Sequence, residues 1–206
     1  MHNPNVPRAT PFQPSQFPGA GCRRVCTVAR FKTTATNKIF TVLNSHLDHH
    51  SEEARKLGAS LLLARARFEA RETGAPVFVT GDLNSRPEGI DAGAYKILTG
   101  AENPLPIAQD FLKKYAVNEL GNFRMLDLRT EAPPENSSKA LATFSDFAVP
   151  DLKAPINAQT LHIDFIFGGS SGGWTAERYR IVTTPPNDGI LASDHYPVSA
   201  DISMLS

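Results

Sequence analysis

The apolar and polar positions along the chain form short β-rich runs around one long helical repeat. Residues 25–31 and 38–44 are rich in β-branched and aromatic side chains, and the polar segment TTATN between them favours a hairpin connection. A short apolar run at residues 76–80 predicts a third strand. Later runs predict strands at residues 161–167, 178–184 and 197–203, with a flexible glycine-rich turn at residues 168–173.

The clearest predicted helix follows the second strand. Ser51 is a suitable N-cap, Glu52 suits the positive end of the helix dipole, and Gly74 predicts the helix end. Apolar residues at helical spacing predict the packed face, namely Ala54, Leu57, Leu61, Ala64 and Phe68. The arginines and glutamates of this helix, which mostly lie off that stripe, are interpreted as a solvated outer face.

A second, shorter helix is predicted at residues 88–98, with Ala94, Ile97 and Leu98 packed inward. Residues 100–155 contain many prolines and few periodic runs, which predicts long connections that shape a site. The order strand, strand, amphipathic helix, strand predicts a mixed α/β layer architecture.

Composition places the chain among globular proteins of one ordinary domain. It has 206 residues, of which 41% are hydrophobic and 20% charged, and its formal net charge is zero. A neutral chain has no global field to attract a polyanion, so charge gives nucleic acid binding no support. Cys22 and Cys26 are too few for a disulfide framework or a zinc site and are predicted as free thiols, buried or half-buried.

Residues 1–21 are rich in proline and predict a loop or disordered arm, so the ordered domain is expected at residues 22–206. This arm lacks the apolar segment of a secretory signal peptide. No apolar run reaches the roughly 18 to 20 residues that a membrane-spanning helix needs. The compartment is not determined by these features, and a cytoplasmic location is the default expectation.

Polar residues stand where several predicted strands begin or end. Asn44 and His46 close the second strand, Gly81-Asp82-Leu83-Asn84 follows the third, and Asp194-His195 precedes the last. Sites in open α/β sheets assemble where strand ends converge. Asp164 interrupts an otherwise apolar strand, and burying its carboxylate is costly unless a partner such as a histidine pairs with it.

Four of these segments in order, NSHLDHH, GDLNSRP, HIDFIF and ASDHYPV, resemble successive motifs of the endonuclease/exonuclease/phosphatase superfamily. The resemblance implies a two-sheet, four-layer α/β sandwich with mixed, mainly antiparallel sheets and flanking helices. It also implies Mg²⁺-dependent hydrolysis of a phosphate ester, with Mn²⁺ as the alternative cation. The substrate classes that it implies are a phosphorylated small molecule, a lipid head group or nucleic acid.

The resemblance also assigns roles to residues of this chain. His46 would contact the scissile phosphate, Asp82 would activate or orient water, and Asn84 would position that water. Asp164 would pair with His195 and hold it as an imidazolium facing the phosphate. The resemblance further implies a metal-binding role for Asp194. Asn44 and Arg86 are further candidates for substrate binding, and a solvated side chain is the alternative for Arg86.

One expected motif is absent from this sequence. Family members carry an early Gln-Glu pair whose carboxylate is the principal metal ligand, and no Gln-Glu occurs in this chain. The expectation is therefore that residues 22–206 are the C-terminal portion of the family domain, without its N-terminal third, and full-length relatives could be secreted. Two alternatives to the phosphoesterase stay open, namely a truncated, catalytically inactive or binding-only protein, and a nuclease acting on nucleic acid.

Overall fold

The computed structural model describes Phe17 and residues 19–115, 121–147, 161–183 and 190–205. Most of the predicted N-terminal arm lies outside these residues, as does the end of the predicted strand at residues 178–184. The division of the chain at residue 22 therefore stays a prediction. Within the described ranges no helix is both long and apolar enough to span a bilayer.

A five-stranded mixed sheet forms the centre of the molecule. Its strands are β1 (Cys26–Lys32), β2 (Ile39–Ser45), β3 (Val77–Asp82), β4 (Met125–Asp127) and β5 (Asp164–Gly169), in the spatial order β1-β2-β3-β5-β4. β2 and β3 run parallel, and the other neighbours are antiparallel. As a result, β2 and β3 end at the same sheet edge at which β5 begins.

Within the described residues, four α-helices accompany the sheet: α1 (Glu52–Thr73), α2 (Gly93–Thr99), α3 (Gln109–Tyr115) and α4 (Leu128–Glu131). The predicted ends of α1 are confirmed: the Ser51 side chain accepts a hydrogen bond from the Ala54 N–H, and Gly74 adopts a left-handed conformation. Burying apolar side chains of α1 and α2 against one sheet face stabilises this layer. This core includes Leu43, Leu62, Ala66, Val79, Ile97 and Phe167.

The predicted packing face of α1 is wrong in part. Leu57, Leu61, Ala64 and Phe68 are only partly buried, whereas the fully packed face carries Ala59, Leu62, Ala66 and Ala70. Small alanines let the helix approach the sheet closely. Arg55 and Glu69, predicted on a solvated face, are buried as well, because each forms ion pairs there.

A two-stranded antiparallel sheet, β6 (Trp174–Ile181) and β7 (Val198–Met204), is associated with the other face of the central sheet. The core between the sheets includes Phe78, Trp174, Ala176, Tyr179 and Ile181. Trp174 packs so closely on Gly168 that a Cβ at Gly168 would lie 2.2 Å from the indole. The predicted fold class, an α/β sandwich with mixed, mainly antiparallel sheets and flanking helices, is confirmed.

Several predicted boundaries differ from the structure. The second helix begins at Gly93 rather than at residue 88, and its inward residues Ala94, Ile97 and Leu98 are buried as predicted. The region predicted as long connections contains α3, β4 and α4. These elements are too short for a hydrophobic period to mark them. Cys22 and Cys26 are free as predicted, but both are exposed rather than buried.

Candidate active site

The ends of β2 and β3 approach each other closely at the sheet edge. Gly81 has φ +135°, and a Cβ there would lie 1.9 Å from the carbonyl oxygen of Ser45. Only glycine fits this conformation and this separation. The close approach sets His46, which follows β2, beside Asp82, the last residue of β3.

His46, Asp82 and Asn84 form one half of the site. The Nε2 atom of His46 lies 3.3 Å from Asp82 Oδ2 and 3.0 Å from Asn84 Nδ2. Asn84 also donates from Nδ2 to the Leu47 carbonyl at 3.1 Å, and its backbone N–H donates to Asp82 Oδ1 at 2.7 Å. Asn84 has φ +47°, a left-handed conformation that asparagine adopts more readily than most residues.

Asp164 and His195 form the other half. Asp164 pairs with Asp82 across the antiparallel β3–β5 ladder, so both carboxylates lie at the same edge. His195 Nδ1 lies 2.8 Å from Asp164 Oδ2, and His195 Nε2 lies 3.9 Å from Asp82 Oδ2. The sequence-predicted Asp164–His195 pair is thus present and adjoins Asp82.

Thr143 and Phe144, which no sequence motif indicated, support the second half. The buried Thr143 hydroxyl accepts hydrogen bonds from the backbone N–H groups of Ile163 and Asp164, at 3.0 and 3.1 Å. The Phe144 ring meets the His195 ring in a T-shaped contact with centroids 5.1 Å apart. Both residues lie in the region predicted as long connections, where no periodic pattern indicated contact with the site.

The remaining predicted site residues stand within two positions of His46, Asn84 or His195 in the sequence. Asn44 accepts a hydrogen bond from the Thr80 hydroxyl on the neighbouring strand. Arg86 donates its backbone N–H to the Asp91 carbonyl. The Asp194 carbonyl accepts from the Ser145 N–H and hydroxyl, which fixes the loop before His195. The roles assigned to these three residues stay predictions.

The two histidines have pKa values shifted in opposite directions. Partial burial lowers the pKa of His46, and this effect outweighs the attraction of Asp82. Partial burial also works to lower the pKa of His195, but the hydrogen bond and charge of Asp164 dominate and raise it. Burial raises the pKa of Asp82. The hydrogen bond from the Asn84 N–H lowers this pKa, and the charge of the Asp164 carboxylate raises it further.

Three of these side chains could hold a divalent cation. Asp82, Asp164 and His195 each offer a ligand atom, and these atoms lie within 4.8 Å of one another. Carboxylate oxygens are the ligands that hard divalent cations prefer, whereas an imidazole suits transition metals such as zinc and iron. The donor set therefore fits a divalent metal, although Nδ1 of His195 is already engaged with Asp164.

Comparisons with known proteins identify a family and a shared fold. A sequence model described as the endonuclease/exonuclease/phosphatase family matches residues 5–195. The chain resembles a Bacteroides vulgatus structure of that description (29% identity, TM-score 0.61), with 90% of this chain and 57% of that one covered.

Two further structures have the same fold. A functionally unknown conserved protein from Enterococcus faecalis is 25% identical with a TM-score of 0.60, and the match covers 93% of this chain and 61% of that one. A mannosyl-6-phosphatase from Bacteroides thetaiotaomicron is 22% identical with a TM-score of 0.61, and the match covers 90% and 59%. The chain thus spans about three fifths of these structures' length. No curated protein matches the chain. By the match over residues 5–195, the chain belongs to the endonuclease/exonuclease/phosphatase family.

Proposed function

We propose that this protein hydrolyses a phosphate ester with Mg²⁺, or alternatively Mn²⁺, by attack of an activated water. The observation that carries the proposal is the Asp164–His195 pair, bonded at 2.8 Å, directly beside Asp82. A bound divalent cation would neutralise charge that develops on the phosphoryl oxygens. Asp164 and the predicted metal ligand Asp194 would hold it.

The chain's own residues supply the remaining steps. Asp82 accepts a proton from the attacking water, and its raised pKa suits a base that must take up a proton. Asn84, 3.0 Å from His46, holds that water with its amide. As the new P–O bond forms, the ester P–O bond breaks, and the leaving alkoxide takes a proton from solvent water.

The two histidines stabilise the charge that develops on the phosphoryl group. Asp164 raises the pKa of His195, so that His195 approaches the phosphate as an imidazolium. His46, whose pKa is lowered, contacts the phosphoryl group as a neutral imidazole and also adjoins Asp82. Asn44 and Arg86 remain proposed contacts for the rest of the substrate.

Asp82→Asn tests the proposal. Hydrolysis of p-nitrophenyl phosphate and of bis-p-nitrophenyl phosphate would be measured with Mg²⁺, with Mn²⁺ and after chelation. We expect the variant to lose about 10²- to 10⁴-fold in rate, the range of general base catalysis. Asp201→Asn, which alters a half-exposed carboxylate of β7, is the matched control and should retain the wild-type rate.

The outcomes distinguish the open alternatives. Equal rates for wild type and Asp82→Asn would contradict the assignment of Asp82. A well-folded wild type without metal-dependent hydrolysis of either ester would favour the inactive or binding-only alternative. Cleavage of single-stranded DNA or RNA at rates far above those of both small esters would favour the nuclease.

A further inference from the structure

Two loops carry the first half of the site. The first site loop (residues 46–51) joins β2 to α1 and carries His46, and the second site loop (residues 83–92) joins β3 to α2 and carries Asn84. They meet at the site, where Asn84 Nδ2 donates to the Leu47 carbonyl at 3.1 Å. The separation of His46 and Asn84 therefore depends on how the two loops are held relative to each other.

Arg55 contacts both site loops. It lies in the first turn of α1 and is 5% exposed. Its Nη1 donates to the Asp48 carbonyl in the first site loop at 3.1 Å, and its Nη2 lies 3.5 Å from Asp91 Oδ1 in the second. Its Nε donates to Glu52 Oε2 at 2.8 Å, which holds the planar guanidinium in one orientation.

The first contact point of Arg55 is itself rigid. The buried Asp48 carboxylate accepts backbone hydrogen bonds from Gly21, Cys22, His50 and Ser51 at 2.8–3.1 Å. Burial of Asp48 opposes ionisation, but these four N–H groups outweigh it and lower its pKa to about 2. The carbonyl to which Arg55 binds is therefore fixed within the first site loop.

At the second contact point Arg55 reaches the Asp91 side chain, and the backbone of Asp91 is fixed by hydrogen bonds. The Asp91 carbonyl accepts hydrogen bonds from the Ser85 hydroxyl at 2.7 Å and from the Arg86 N–H at 3.1 Å. Glu52, which accepts from Arg55 through Oε2, also accepts the N–H of Gly93, at the start of α2, through Oε1 at 2.8 Å. Because both ends are stiff, a shift of the guanidinium moves whole loops rather than single side chains.

We propose that Arg55 is a positioning residue that couples the two site loops and so sets the separation of His46 and Asn84. The inference rests on the proposed function for its catalytic consequence, but the coupling of the loops stands on the contacts alone. Removal of the Arg55 cation takes away the ion pairs that Glu52 and Asp91 form with it and frees the Asp48 carbonyl.

The loop coupling is tested by amide hydrogen exchange, measured by NMR on the full chain. The reporters are the Leu47 N–H, which donates to the Asp82 carbonyl, and the Asn84 N–H, which donates to Asp82 Oδ1. For Arg55→Gln we expect exchange at both amides to rise at least about tenfold, as local opening becomes easier. Arg65→Gln is the matched control, since Arg65 forms an equally short pair with buried Glu69 on the same helix but contacts neither loop.

Activity gives the second readout. Arg55→Gln should lower kcat by about 10- to 100-fold, the cost of misplaced catalytic groups, with little change in KM. Arg55→Lys should recover part of kcat, because an ammonium can reach one loop but not bridge both. Arg65→Gln should keep the wild-type kcat even if its thermal stability falls by as much as that of Arg55→Gln.

The proposal is overturned if exchange at Leu47 and Asn84 is the same in Arg55→Gln as in Arg65→Gln. If Arg55→Gln does not fold, Arg55→Lys and Asp91→Asn replace it, and unchanged exchange at Asn84 in both overturns the proposal equally. Raised exchange in a chain whose wild type hydrolyses neither ester would reject the proposed function while the coupling by Arg55 stands.

Discussion

The two histidines of the site lie on either side of one carboxylate and differ in almost every physical respect. His46 has a side chain 54% exposed, is bordered by the Asn84 amide, and has a lowered pKa. His195 has a side chain 26% exposed, is bonded to Asp164, and has a raised pKa. The same side chain is thus biased toward the neutral form on one side of Asp82 and toward the cation on the other. Burial outweighs the attraction of Asp82 at His46, whereas the hydrogen bond and charge of Asp164 outweigh burial at His195.

The largest effect should come from removing the carboxylate that pairs with His195. Asp164→Asn removes the charge that raises the pKa of His195, and we expect Mg²⁺-dependent hydrolysis to fall about 10²- to 10³-fold. The high-pH limb of the rate profile should also move to lower pH, because the imidazolium is lost earlier. Asp110→Asn, on the exposed face of α3, is the control.

The same variant has a defined effect on stability. Because the pKa of His195 is raised in the folded state, the contribution of the pair is full below the ordinary value of 6.5 and is lost as pH rises through the folded pKa. Thermal melting should therefore show a larger loss for Asp164→Asn at pH 6 than at pH 9. An equal loss at both pH values would contradict the assigned origin of the shift.

A smaller effect should follow from making the two histidines alike. Asn84→Asp keeps a side chain that tolerates φ +47° but sets a second carboxylate beside His46. We expect the pKa of His46 to rise toward that of His195 and kcat to fall about tenfold, since the water-positioning amide is lost. Imidazole NMR titration, assigned with His46→Gln and His195→Gln, measures both values. A His46 pKa no higher than that of the wild type would contradict the comparison.

The smallest effect should come from loosening the support of Asp164. Thr143→Val keeps the side-chain shape but leaves the buried N–H groups of Ile163 and Asp164 without an acceptor, which should cost about 1–3 kcal/mol of unfolding free energy. We expect a loss of kcat of only a few-fold, because the bond between Asp164 and His195 survives. Urea unfolding measures the stability, and Thr175→Val, at an exposed position of β6, is the control.

The residue types gathered at the candidate site could be predicted from the sequence because they stand in short, ordered segments. The positions of Asp82 and His195 next to strand ends follow from the alternation of apolar runs with polar residues, whereas Asp164 was predicted inside a strand and stands at the start of β5. The structure brings these three together. The start and end of α1 were equally predictable, since Ser51 and Gly74 act through local backbone hydrogen bonds.

Only the tertiary structure decided which face of α1 is buried and what supports the site. The charged side chain of Arg55 is buried because partners from two loops compensate its charge. Helical periodicity contains no information about those partners. Thr143 acts through a contact 20 residues away in sequence. The sequence determined which groups can react, because that depends on residue type; their charges and distances depend on neighbours that folding alone brings together.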